Sequence, residues 1–153
     1  MKIAAVTGAA SGIGQRTVEK LLEEGWTVWA LDLVHDVLAA QAETLNVGER
    51  FRYLECDVSD AASTRTAFEI VSRETGRLDA LVCSAGVLRV GLMEDASESD
   101  FDLMLHVNVK GPWLTVRAAL ALVRVHRQRA VDGVRELLHV EGVDGQQIGR
   151  AHV

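Results

Sequence analysis

Short apolar runs alternate with amphipathic segments over the first 129 residues, the pattern of strands buried in a parallel sheet with helices packed on it. Lys2 to Val6 reads as a first buried strand. Ile13, Thr17, Val18, Leu21 and Leu22 then share one face of a helix that Gly25 ends. Thr27 to Leu31 is a second strand with Asp32 as its last residue, followed by a polar helix from about Asp36 to Leu45. A third strand is expected from about Phe51 to Glu55. The next helix starts after Ser59-Asp60, whose side chains can cap its first turn, and stops at Gly76. Ala80 to Cys83 is a short fourth strand.

Ser97 with Asp100 three residues later resembles a capping box and opens a helix through Phe101, Met104, Leu105 and Val107. Gly111-Pro112 is expected to interrupt or restart it. Trp113 to Arg129 then forms a second helix, apolar at Leu114, Ala118, Leu122 and Val125. Beyond Ala130 neither period persists; Val-Asp-Gly recurs at Val131 and Val143, and Val134 to Val140 reads as either a poor strand or a short helix. The chain therefore divides into an α/β unit over 1–129 and an irregular segment over 130–153.

Composition narrows the class without changing this picture. The 153 residues allow one domain with a buried core. A formal charge of −6 argues against a generic nucleic-acid or anionic-membrane binder. Arg117 and Arg124 flank the longest apolar candidate, Ala118 to Val123, so no membrane span is expected. The early apolar run stops at Thr7-Gly8, too soon for the core of a signal peptide. Two cysteines, Cys56 and Cys83, suit a reducing compartment, and the expected location is the cytoplasm.

The chemistry concentrates in Thr7-Gly8-Ala9-Ala10-Ser11-Gly12-Ile13-Gly14, between the first strand and the first helix. Glycines there let the chain turn tightly and bring backbone against a pyrophosphate, while the N–H groups and dipole of the helix start favour the anion. A glycine-rich turn without a ligand would show the same glycines. The discriminating residue is Asp32, twenty positions after Gly12, where a carboxylate can accept hydrogen bonds from ribose hydroxyls. It would repel a 2′-phosphate, and Leu33-Val34-His35 offers no Arg or Lys to neutralise one, so NAD is expected over NADP.

In this order the motifs resemble those of the short-chain dehydrogenase/reductase family. The match runs from Thr-Gly-x-x-x-Gly-x-Gly through Asp57-Val58 and Cys83-Ser84-Ala85-Gly86 to Asn108-Val109-Lys110-Gly111, and covers residues 2 to 129. The resemblance implies a Rossmann-like doubly wound parallel sheet of order 3-2-1-4. It implies a cofactor site at Gly8, Ser11, Gly12, Ile13, Gly14, Asp32, Asp57, Val58, Cys83, Ala85 and Gly86. Asp57 would contact the adenine, Ala85 and Gly86 would line the cofactor ribose, and Asn108 would shape a catalytic helix and hold a water in a proton relay. Homo-oligomers through the helix Trp113 to Arg129 are implied as well. Within the family, Arg77 to Gly91 is similar to the 2,3-dihydro-2,3-dihydroxybenzoate dehydrogenases; there Arg89 either meets a carboxylate substrate or is an ordinary surface arginine.

Two departures qualify the resemblance. Cys83 stands where the family usually has Asn, and cysteine supplies neither a strong donor nor a strong acceptor. The family's catalytic Ser and Tyr-x-x-x-Lys have no counterpart: the last Ser is Ser99, the single Tyr is Tyr53, and the last Lys is Lys110. The chain is accordingly expected to be catalytically incomplete, through truncation or a shift of reading frame near Gln128. The alternatives are a non-catalytic module that binds NAD or a partner chain, and a structural protein with an empty loop. No metal site is expected, because His126, His139 and His152 lack the local spacing of ligands. Trp26 and Trp29 read as core.

Overall fold

Four parallel strands and the helices between them make up residues 1–123, the part of the chain that the computed structural model describes. The strands are β1 (Ile3–Thr7), β2 (Thr27–Asp32), β3 (Phe51–Glu55) and β4 (Ala80–Cys83). The helices are α1 (Gly12–Glu23), α2 (His35–Leu45), α3 (Ala61–Thr75) and α4 (Glu98–Leu105). The strand order is β3-β2-β1-β4, as the resemblance implies. Register pairs Thr7 with Leu31 on one side and Cys83 on the other, and Asp32 with Glu55, so the carboxyl ends of the strands lie side by side.

β1 is buried throughout because helices cover both faces of the sheet, which is why it reads as an unbroken apolar run rather than an alternation. The two-residue period still sorts its side chains. Ile3, Ala5, Trp29 and Leu31 pack on one face with Phe68, Val71, Leu78 and Leu122. Val6, Val28 and Ala30 pack on the other with Val18, Leu22 and Leu38. Trp29 is buried as expected; Trp26 is half-buried, with Lys2 Nζ 5.1 Å from its ring centroid.

The capping signals act as expected. Asp60 accepts from Ser63 N at 2.7 Å, and Ser97 accepts from Asp100 N at 3.1 Å. Each satisfies one of the donors left over at a helix start. The expected break at Gly111-Pro112 is not there. The backbone passes from α4 through a π-helical turn at His106–Lys110 directly into helix over residues 111–123. Pro112 has no N–H and its ring crowds the carbonyl four residues back, that of Asn108; the wider turn absorbs this without ending the helix. The expectations for residues 124–129, for the segment 130–153 and for His126, His139 and His152 fall outside the described residues.

Candidate functional site

The carboxyl ends of the strands open onto a cleft of about 360 Å³. Nine of the expected residues line it: Gly8, Ser11, Gly12, Ile13, Asp32, Asp57, Val58, Ala85 and Gly86. Leu33, Val34, Cys56, Ser84, Val87 and Val107 join them; Ser84 already stood in the motif after β4, and the others were not expected in the site. Leu33 and Val34 are apolar yet 59% and 49% exposed, directly after a strand whose apolar residues are buried.

Gly14 stands behind the cleft rather than in its wall. A Cβ on it would lie 2.0 Å from the Gly8 carbonyl oxygen, so its hydrogen is what lets α1 start against the β1 turn. Gly8, at φ +69°, would place a Cβ 2.6 Å from the Ala85 backbone, which brings the loops after β1 and β4 together. Ser84 N donates to the Thr7 carbonyl at 3.2 Å, and Ala85 N to Thr7 Oγ1 at 3.4 Å.

The start of α1 differs from those of α3 and α4. Ser11 is extended and its side chain makes no capping bond, and the first turn holds no acidic residue. The leading N–H groups of this helix thus have no side-chain acceptor, and Ser11, Gly12 and Ile13 form cleft wall. A free helix start bordered by glycine is suited to an anion.

At the far rim, Asp32 is held by its own surroundings. Oδ2 accepts from Ala10 N at 3.0 Å and Oδ1 from Val34 N at 3.2 Å. A carboxylate has about four acceptor positions, so two lone-pair directions remain for hydroxyl donors. Asp57 is committed differently: Oδ1 accepts from Ser59 N at 2.8 Å and Ser59 Oγ at 2.7 Å, a local turn that leads into α3.

Asn108 sits on the π turn beside the cleft. Its Oδ1 accepts from Val87 N and its Nδ2 donates to the Val87 carbonyl, both at 2.8 Å. The amide thereby ties the loop after β4 to the helix much as a neighbouring strand would. Cys83 does not line the cleft; it ends β4 exposed, and partial burial raises its thiol pKa. Cys56 is buried, and desolvation, with smaller contributions from Asp57, Asp32 and Asp60, pushes its thiol up to about 11 against the opposing Ser63 hydrogen bond. Neither thiol is poised as a thiolate nucleophile. Arg89 Nε lies 3.3 Å from Asp100 Oδ1, beside a separate cavity of about 460 Å³. Among the described residues no group of three His, Cys, Asp or Glu side chains could hold a metal ion.

A doubly wound parallel sheet with a glycine-lined helix start and an acidic residue ending the second strand defines a Rossmann-like α/β protein. The profile described as short chain dehydrogenase matches residues 2–131, and the chain belongs to that family. D-threitol dehydrogenase of Mycolicibacterium smegmatis is 42% identical over 119 residues, 76% of this chain and 45% of that protein. An alcohol dehydrogenase from Thermococcus sibiricus complexed with 5-hydroxy-NADP superposes with a TM-score of 0.75 at 31% identity, covering 80% of this chain and 53% of that one. A short chain dehydrogenase/reductase from Burkholderia phymatum in complex with NAD gives 0.75 at 28% identity, covering 80% and 44%. The chain spans about half the length of the relatives it matches.

Proposed function

We propose that this chain binds NAD in the cleft at the strand ends, as the nucleotide-binding half of an oxidoreductase that moves a hydride to or from a hydroxyl-bearing or dihydrodiol carbon. The observation that carries the reading is the pairing of an uncapped α1 with Asp32 across one cleft. The helix start takes the pyrophosphate, and the free acceptor positions of Asp32 take the adenosine ribose hydroxyls. The Gly8 and Gly14 contacts support this fit, because each keeps Cβ atoms out of the space where the backbone turns. When bound, the nicotinamide would accept the hydride from the carbinol carbon, or donate it in the reverse direction as NADH; the chain supplies grip and orientation. The dihydrodiol substrate class rests on the stretch Arg77 to Gly91, in which the charge of Arg89 is already matched by Asp100.

Titration with NADH and NADPH tests the cofactor. NADH is expected to bind more tightly, because a second phosphate would meet the Asp32 carboxylate. Asp32→Ala narrows or reverses the preference, since hydrogen bonds to a charged acceptor are worth about 1.5–3 kcal/mol. Equal affinities for the two dinucleotides in the unaltered chain would sink the NAD assignment.

A second reading is a module that binds NAD or a partner without turnover. It is favoured by the stripe Phe101, Leu105, Val109, Trp113, Val116 and Leu120, all exposed at helical spacing on consecutive turns. With no serine after Ser99 and Tyr53 on β3, this 153-residue chain offers no proton donor of the family's kind. Steady NADH production by it, lost in Tyr53→Phe, would overturn the non-catalytic reading.

A further inference from the structure

The glycine-rich turn is gripped from behind by a residue that lies in neither the motif nor the cleft wall. Gln41, midway along α2, donates from Nε2 to the Ala10 carbonyl at 3.1 Å and to the Ala9 carbonyl at 3.3 Å. The amide orientation follows from its partners, since an oxygen facing two carbonyl oxygens would be repelled. On the opposite side Ala10 N donates to Asp32 Oδ2 at 3.0 Å, and Ala9 N to the Leu31 carbonyl at 3.3 Å. The peptide unit joining Ala9 to Ala10 is therefore held at both ends, its carbonyl by α2 and its N–H by the residue expected to bind ribose.

Gln41 Oε1 is buried and makes no hydrogen bond. A buried acceptor without a donor is destabilising and offsets part of what the two Nε2 bonds contribute, so the amide adds little net stability over a leucine of similar size. Its distinct effect is on the direction of two carbonyls. Turning the Ala9 and Ala10 carbonyls toward α2 removes two negative dipole ends from the loop and leaves N–H groups at the α1 start to face an anion.

We propose that Gln41 is a positioning residue for the dinucleotide. It fixes the peptide planes at Ala9 and Ala10 and sets the angle at which the Asp32 carboxylate meets the ribose. The inference rests on the nucleotide reading above, and the test separates the two. The unaltered chain, Gln41→Leu and Gln41→Glu are titrated with NADH and ADP-ribose, and each is melted without ligand. Gln41→Leu loses the two Nε2 bonds but also the unpaired Oε1, so it is expected to melt near the unaltered temperature yet bind both ligands about tenfold more weakly. Gln41→Glu should show the same loss at pH 8 and recover part of it toward pH 5, where a protonated carboxyl regains one donor, while Gln41→Leu stays flat. Affinity of Gln41→Leu within twofold of the unaltered chain overturns the proposal. So does a melting temperature that falls in step with affinity, or failure of the variant to fold, either of which marks the amide as merely structural. If the unaltered chain binds neither ligand, the nucleotide reading falls and takes the proposal with it; if it binds and Gln41→Leu matches it, the proposal alone falls.

Discussion

Cys56 carries a titration that can be read as stability. Its thiol is raised from 9.0 to about 11, chiefly by burial. The folded state therefore favours the protonated form more than the unfolded chain does, and this contribution is complete below about pH 9 and lost as pH climbs toward 11. Two pH units correspond to about 2–3 kcal/mol. Urea midpoints should fall between pH 8 and pH 11 more steeply in the unaltered protein than in Cys56→Ala; parallel slopes would refute the assignment. Individual residues were legible in the sequence where their chemistry is local. Asp32 is marked by its distance from Gly12, and Asp60 by its place before a helix. Gln41 was not, because a glutamine on an amphipathic helix looks like any solvated polar residue until the fold brings Ala9 and Ala10 against it. Asn108 stands out in the sequence only through the family resemblance, while its bonds to Val87, which cross twenty-one residues, left no local mark.

At the scale of elements, the seat of α1 against the sheet depends on a missing methyl group. Gly14→Ala puts a Cβ 2.0 Å from the Gly8 carbonyl oxygen, and neither partner is a side chain that can swing aside. Overpacking of this kind costs about 1–3 kcal/mol or more. Denaturant unfolding should show that loss in Gly14→Ala together with failure to bind NADH, and a folded variant with unaltered stability and affinity would contradict the packing argument. The strands came through from sequence almost residue for residue, since β1, β2 and β4 are short runs dominated by apolar residues. The helix after Ser97 came through as well, but its unbroken passage through Gly111-Pro112 did not. Gly-Pro is a sound stop signal for a regular α-helix, and a turn of wider pitch that tolerates proline leaves no mark in hydrophobic period.

At the scale of the molecule, the stripe from Phe101 to Leu120 is an exposed apolar feature along one helical run. We expect it to drive association: light scattering should show particles heavier than the 16.6 kDa chain, and Trp113→Glu should shift them toward monomer. Monomers at every concentration in the unaltered protein would end that expectation. Strand order also sets a timetable. β1 is made first but lies between β2 and β4, and Ile3 exchanges hydrogen bonds with Asp79, seventy-six residues later, at 2.8 Å in each direction. At translation rates of about 5–20 residues per second, that interval takes roughly 4–15 seconds. Throughout it β1, buried along its whole length in the fold, has at least one bare edge, so a ribosome that stalls before Cys83 holds a nascent chain with an open template for β pairing.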